Sequence, residues 1–352
     1  MSLNDYGWCD RVDALFDPFR DLELVPARVG RVDRGAVVVH TDDATLPAVV
    51  AGVLDEAGES GPPAVGDWVA LAFDGGTAVV RAVLPRTGVL SRRRPGAADR
   101  AQAVAANVDL VLVTESVERG PNPRRIERAS ALAWDAGATP VVVLTKADLA
   151  DDLEASLRTA QQGAPFVEVL PVSAVASEGL EALRGHLSPG TTGVLLGPSG
   201  VGKSTLINRL LGEERLAVSA VRTADLKGRH TTTRRELVPL AGGGCLIDTP
   251  GVRELGLWLS AEAVDTAFPE IDEAAEGCRF RDCRHIAEPG CAVLAAVEAG
   301  RIAPARLAGY HRLRLEAERL EERLDPARRH ELRARERGFG KMVKQVKKLK
   351  GI

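Results

Sequence analysis

The chain has 352 residues, enough for two or three domains at ~100–200 residues each. With 45% hydrophobic and 27% charged residues and a formal net charge of −3, it can bury a sizeable core and is excluded as a generic polyanion binder, so any nucleic-acid site must be a local basic patch. Five unevenly spaced cysteines exclude a secreted disulfide scaffold, and the polar amino terminus and the lack of a long apolar run point away from a signal peptide or a membrane span; a cytoplasmic, reducing location is expected.

Residues 1–20 lack strong periodicity and read as a loosely attached arm. Short β-rich runs then follow at Ala27–Val32, Ala36–His40, Ala48–Ala51, Asp67–Phe73 and Thr77–Val83, punctuated by turn signals at Gly66-Asp67 and Asp74-Gly75-Gly76. They predict a small closed barrel; an OB-fold leads, and an SH3-like barrel would read much the same. A basic linker, Ser91-Arg92-Arg93-Arg94-Pro95-Gly96, opens an alternating region. Val108–Thr114, Pro140–Thr145, Phe166–Leu170 and Gly193–Leu196 read as strands, with Arg124–Ala136, Asp151–Gln162 and Glu178–His186 as helical segments between them. Near-continuous apolar strands separated by helices predict a parallel sheet covered on both faces. After Gly251 the chain turns mostly helical, with a long charged helix at about Pro304–Leu324 and a tail, Lys341–Ile352, holding five lysines and no acid.

Gly197-Pro198-Ser199-Gly200-Val201-Gly202-Lys203-Ser204 fits the Walker A pattern and lies between a strand and the helical run Ser204–Leu211. Glycines let backbone N–H groups turn inward around phosphate oxygens, and the helix offers its positive end. Lys203 would reach the β- and γ-phosphates, and Ser204, with Thr205 beside it, would hold Mg²⁺. This loop alone does not separate ATP from GTP.

Asp248-Thr249-Pro250-Gly251 ends an apolar strand and resembles the D-x-x-G element, whose Asp supports Mg²⁺ and whose Gly N–H senses the γ-phosphate. Gly228–Thr233, which ends in Thr231-Thr232-Thr233, has the composition of a switch that orders around phosphate and metal. The base reader lies upstream. Thr145-Lys146-Ala147-Asp148 resembles N-K-x-D, and the Asp148 carboxylate would accept guanine N1–H and N2–H, which adenine does not offer. Ser173-Ala174 resembles the S-A element. An ordinary G protein begins with its phosphate loop, so the order here describes a circular permutation that keeps the strand ends at one edge of the sheet.

Cys278-x4-Cys283-x-His285-x5-Cys291 supplies three thiolates and an imidazole, a set suited to tetrahedral Zn²⁺, with Pro289-Gly290 turning the chain back. Cys245 reads as a core strand residue and Cys9 as an arm thiol.

The permuted order, the barrel and the cysteine cluster, together with Ala105-Ala106-Asn107-Val108-Asp109, resemble the RsgA family of small ribosomal subunit biogenesis GTPases. The resemblance implies residues 1–26 as an arm, 27–90 as an OB-fold barrel, 97–257 as a permuted α/β P-loop GTPase domain, 258–325 as a mostly α zinc-binding domain and 326–352 as a basic tail. It implies a protein that binds a late precursor of the small subunit and its rRNA, hydrolyses GTP to GDP and phosphate, and leaves after hydrolysis. It is expected to be a monomer with no membrane partner. One departure is Thr145, where the family usually has Asn; losing a net hydrogen bond costs ~0.5–1.5 kcal/mol, so guanine affinity is expected to fall several-fold while selectivity stays with Asp148. Many GTPases orient the attacking water with a Gln just after D-x-x-G; here Val252 holds that place and cannot do so, leaving His230 as the candidate for that role beside Lys203. Two rival readings remain at this level. A P-loop kinase needs neither Asp148 nor the threonine switch, and a nucleotide-gated rRNA scaffold binds GTP with little turnover.

Overall fold

The computed structural model describes residues 1–33, 36–52, 61–93, 101–213, 235–248 and 259–322. The chain divides into two compact units, Met1–Arg92 with Gln102–Leu257, and Arg93–Ala101 with Trp258–Ile352.

The first unit opens with the segment expected to be a loose arm, and here the structure differs. Leu3–Tyr6 form a 3-10 turn and Asp10–Arg20 form helix α1, burying Leu3, Tyr6, Val12 and Phe16. The Tyr6 ring stacks on His40 at 4.1 Å, and Trp8 meets Trp68 edge-on at 5.2 Å. Cys9 occupies the position before α1 and is exposed. A short segment with a few aromatic anchors shows no periodicity, yet it packs firmly when its partners come from distant strands.

Those strands are β1 (Val25–Asp33), β2 (Ala36–His40), β3 (Thr45–Val50), β4 (Trp68–Asp74) and β5 (Thr77–Val83). They pair in the order β1-β2-β3-β5-β4, and β4 returns to β1, so the sheet closes. The β3–β5 pairing is parallel and the others are antiparallel, the Greek-key closure of an OB-fold. Alternate residues fill the barrel, among them Val29, Val37, Val39, Leu71 and Val80. β1 shifts register between Val29 and Arg31, at Gly30, where an added Cβ would lie 2.2 Å from His40 Nε2. β3 starts earlier than the sequence suggested. Residues Ser91–Arg93 of the expected linker belong to β6 (Val89–Arg93), which forms a two-stranded sheet with β7 (Ala101–Ala106).

The same large sheet continues into an α/β layer through one bridge, Arg31 to Glu236, between β1 and β12 (Glu236–Pro239). Its order there is β10 (Val169–Val172), β9 (Thr139–Thr145), β8 (Leu110–Ser116), β11 (Thr192–Leu196), β13 (Cys245–Asp248), then β12. All but β12 run parallel. Every residue of β8 is buried, as a strand covered on both faces requires. Helices α2 (Pro123–Asp135), α3 (Leu153–Gly163), α4 (Leu180–His186) and α5 (Lys203–Leu211) connect the strands. Asn122 caps α2 by accepting from the N–H groups of Arg124 and Arg125, and Asp152 caps α3 by accepting from that of Ala155. β10 begins three residues beyond the expected Phe166, because Val169–Val172 are the residues that pair with Val142–Thr145.

Arg28 fastens barrel, amino-terminal segment and α/β layer together. Only 2% exposed, it donates to the Tyr6 carbonyl, to Gly66 O at 3.3 Å and to Thr192 Oγ1 at 2.8 Å, and its guanidinium lies 4.8 Å over Trp68. Burial lowers its pKa, and Asp109, Asp67 and the Cys245 thiol oppose that shift.

The second unit contains α6 (Ala261–Ala267), α7 (Pro269–Ala275), α8 (Ala292–Glu298) and α9 (Pro304–Glu322). Leu259, Val264, Phe268, Ile271, Val293 and Leu313 form its interior. Arg306 pairs with Glu270 at 2.7 Å and covers the Phe268 ring at 4.0 Å, while Arg314 and Tyr310 converge on Asp265.

Candidate functional site

The loop Gly197–Gly202 leaves β11 at the carboxyl edge of the sheet, where α/β folds gather ligand-binding loops. Gly197 lies so close to β8 that a Cβ would fall 2.3 Å from the Thr114 carbonyl oxygen. Gly200 and Gly202 take φ of +79° and +104°, which turn backbone N–H groups towards the concave side. Pro198 and Ser199 complete the curve, and Val201 is buried beneath it. Lys203 opens α5 and donates from Nζ to the carbonyls of Gly197 and Pro198, both at 2.7 Å. Ser204 and Thr205 follow in the first turn, half-buried.

Asp248 ends β13, the parallel neighbour of β11, and in the register of β12 it faces Glu236. Burial pushes its carboxyl up to about 6; Lys203 pulls the other way and Glu236 adds to the rise. A carboxyl in that range favours a cationic partner strongly. The donor set of Ser204 Oγ and Asp248, beside Lys203, suits the hard oxygen preference of Mg²⁺.

The residues expected to read the base lie on the other side of the phosphate loop. Thr145 ends β9, is 4% exposed, and its Oγ1 sits 2.5 Å from the Val201 carbonyl and 3.0 Å from that of Glu115. The hydroxyl therefore reaches two acceptors, which the sequence did not suggest, but it has one proton to share between them. Lys146 adopts φ +57° and opens a 3-10 turn, Ala147–Leu149, that exposes Asp148. The Lys146 ammonium pairs with Glu118 and holds that carboxyl below its usual range. Asp148 Oδ1 accepts from Ser173 Oγ at 2.5 Å, and Ser173 Oγ accepts from the Ala176 N–H at 3.0 Å. Ser173 and Ala174 thus stand beside Asp148 at the end of β10.

His230, Thr232 and Gly251, together with Arg229, Val252 and Arg253, lie outside the described residues, as do Arg94 and the basic tail. The sequence did not single out Glu115, Glu118 or Arg209. Glu115 is buried and paired with Arg125, and its carbonyl takes the Thr145 hydroxyl. Arg209 donates from Nε to the Ala174 carbonyl at 2.7 Å. No local motif announces these residues, because each acts on a segment distant in the chain.

In the second unit Cys278, Cys283, His285 and Cys291 converge, with their ligand atoms within 4.8 Å of one another. Cys278 Sγ lies 3.9 Å from Cys291 Sγ and 3.7 Å from His285 Nδ1, and Cys291 Sγ lies 3.5 Å from that nitrogen. Tetrahedral zinc with bonds of ~2.3 Å to sulfur and ~2.0 Å to nitrogen requires edges of roughly 3.8 and 3.5 Å, so the set fits the metal. His285 takes φ +58° and Gly290 +78°, turns that bring the ligands to one point. The Glu288 carboxylate shapes this loop by accepting from the N–H groups of Arg284, Ile286 and Ala287, which draws its pKa down to about 2.

Comparison with known proteins agrees with this arrangement. A family model described as RsgA GTPase matches residues 83–258. The small ribosomal subunit biogenesis GTPase RsgA of Streptomyces coelicolor is 46% identical, over 99% of this chain and 96% of its own length. The protein of the same name from Opitutus terrae is 44% identical, over 93% and 92%. Among solved structures, YjeQ from Thermotoga maritima superimposes with a TM-score of 0.64 at 28% identity, covering 84% of this chain and 98% of that one. YloQ, described as a circularly permuted GTPase, has a TM-score of 0.59 at 24% identity, over 84% and 95%, a likeness of fold.

Proposed function

The chain belongs to the RsgA GTPase family, and from that premise we propose that it hydrolyses GTP while bound to the small ribosomal subunit, acts late in that subunit's maturation, and leaves as GDP forms. The observation that carries the reading is the Thr145 hydroxyl on the Val201 carbonyl, which holds a guanine-type base reader against a phosphate loop across distant parts of the chain. A P-loop kinase has no use for that juxtaposition.

In this reading the N–H groups of Ser199–Ser204 cradle the phosphates, and Lys203 leaves its two loop carbonyls for the β- and γ-oxygens. Asp148, oriented by Ser173, accepts from guanine N1–H and N2–H, with Lys146, Ala147 and Ala174 forming the walls. Mg²⁺, bound at Ser204 with Asp248 in support, would neutralise charge developing on the phosphates. Thr232 and Gly251 are assigned to γ-phosphate sensing and His230 to positioning water. The Cys₃His set would hold one structural Zn²⁺. We assign the barrel to residues 27–90, the G domain to 97–257, the zinc domain to 258–325, and flanking segments to 1–26 and 326–352. Ribosomal RNA contact through barrel and zinc domain, a monomeric state and a cytoplasmic location belong to the same proposal.

The test is phosphate release from GTP with isolated small subunits, with large subunits, and with neither. Strong stimulation by small subunits alone is expected. GTP binding without turnover in all three would replace the enzyme by a scaffold, and equal hydrolysis of ATP would overturn the base assignment.

A further inference from the structure

We propose that Arg209 is a positioning residue for guanine recognition: from the phosphate-loop helix it holds the Ser173–Ala176 segment in the shape that reads the base carbonyl. The inference rests on the guanine reading above and adds a residue to it.

Guanine presents two kinds of group on the edge that Asp148 faces. N1–H and N2–H are donors and suit the carboxylate. The neighbouring C6 carbonyl is an acceptor and needs a donor of its own. Ser173 Oγ is bonded to Asp148, so the segment beginning at Ser173 stands beside the carboxylate and is placed to supply that donor. Within it the Ser173 N–H is spent on the Glu178 carbonyl and the Ala176 N–H on Ser173 Oγ. The N–H groups of Ala174 and Val175 take no partner among the described residues.

Backbone donors read a ligand well only if their peptide planes are fixed beforehand. A peptide is planar, so fixing a carbonyl oxygen fixes the N–H that follows it. Arg209 Nε donates to the Ala174 carbonyl at 2.7 Å, which orients the Val175 N–H, and Nη2 lies 3.4 Å from the Val175 carbonyl, which orients the Ala176 N–H. The planar guanidinium spans consecutive carbonyls from one side, which an ammonium does not. Arg209 is itself held, since Arg184 Nη2 donates to its carbonyl at 3.3 Å. Because Arg209 lies on the helix that Lys203 opens, one rigid element sets both the phosphate cradle and the loop reading the base. Arg209 is exposed, so its loss leaves carbonyls that water can satisfy, and the fold does not depend on it.

The experiment is calorimetric titration of the full chain with GDP, inosine diphosphate, 2-aminopurine riboside diphosphate and ADP, for the wild type, Arg209→Ala and Arg209→Lys. GDP and inosine diphosphate carry the C6 carbonyl and the 2-aminopurine nucleotide lacks it. Arg209→Ala is expected to lose about tenfold in affinity for both carbonyl-bearing nucleotides, the worth of one or two hydrogen bonds. It should keep its affinity for the 2-aminopurine nucleotide and its urea midpoint, with Arg209→Lys intermediate. An equal loss for all four nucleotides, or no loss for GDP, would overturn the proposal. The guanine reading fails separately, if the wild type binds ADP as tightly as GDP.

Discussion

Replacing Thr145 by Val tests the tie between the two halves of the nucleotide site. Valine keeps the shape of a side chain that is 4% exposed and removes only the hydroxyl, which lies 2.5 Å from the Val201 carbonyl and 3.0 Å from that of Glu115. One proton serves both, so the bond itself is worth ~0.5–1.5 kcal/mol, and a buried carbonyl left without a donor costs ~1–3 kcal/mol. If the base reader stays docked, that loss appears in the urea unfolding free energy. If it swings away from the phosphate loop, the loss appears in nucleotide affinity instead, at about tenfold per 1.4 kcal/mol. The expected result is a fall of about 1–2 kcal/mol divided between the two, with GDP affinity reduced and the preference for GDP over ADP intact, since Asp148 and Ser173 are untouched. Thr145→Asn, whose amide offers two protons, should bind GDP several-fold more tightly than the wild type. Equilibrium titration and urea melts on the same samples measure both quantities. A Thr145→Val protein with wild-type affinity and wild-type stability would refute the reasoning, and so would one that binds ADP and GDP alike.

Removing zinc, by chelation or by Cys278→Ser, should melt α7 and α8 and lower the helical circular dichroism, because structural zinc contributes ~10–16 kcal/mol to folding in small units; unchanged ellipticity after metal removal would exclude a structural role. Asp248 predicts a pH dependence. Burial has raised its carboxyl to about 6, so the ionised form costs the free protein stability as pH rises through that value, whereas Mg²⁺ requires that form. Mg²⁺-dependent GDP affinity should therefore climb about tenfold per unit up to pH about 6 and level off above it, a slope absent in Asp248→Asn. Arg28→Ala should lower the unfolding free energy by about 3 kcal/mol or more, since it strands the Tyr6 and Gly66 carbonyls in a cavity, and Arg28→Met, which also removes the desolvated charge, should cost less because its stem fills that cavity. An Arg28→Ala urea midpoint equal to the wild type's would show that the arginine fastens nothing.

The parts of this protein legible in its sequence are those whose chemistry is contiguous. A phosphate loop needs glycines, a lysine and a serine in a fixed short spacing, so Gly197–Ser204 announces itself; the same holds for the Cys278–Cys291 cluster, whose ligand atoms converge. What escaped depends on partners far away in the chain. Leu3, Tyr6 and Phe16 look unpatterned until β1, β2 and β4 supply their contacts, and for that reason the first residues read as a loose arm. β7, Ala-rich and short, carries no strand signal, and its pairing with β6 overrides propensity. β10 was misplaced by three residues because Phe166, the apolar residue that suggested its start, is 66% exposed. Arg209 was invisible for the same reason as Arg28: a side chain that bonds a distant backbone leaves no periodic trace.

The permutation gains a physical sense from where the barrel is fastened. In sheet order the base reader closes one side, on β9 and β10, and the phosphate-facing strands β11 and β13 lie on the other. The barrel is bonded to the latter side through β1, and its last strand region also meets the segments that enter β8 and β9, Val108 N–H donating to the Gly88 carbonyl at 3.1 Å and Val89 N–H to that of Ala136 at 2.7 Å. Arg28 donates to Thr192, the first residue of β11, and β1 bridges to Glu236 on β12, directly opposite Asp248 in register. A load on the barrel therefore reaches the strands that end in the phosphate loop and in Asp248 without passing through the base reader. Thr145 and its neighbours join the phosphate loop through the β9–β8–β11 ladder, to which the Thr145 hydroxyl and the Arg209 guanidinium add side-chain ties.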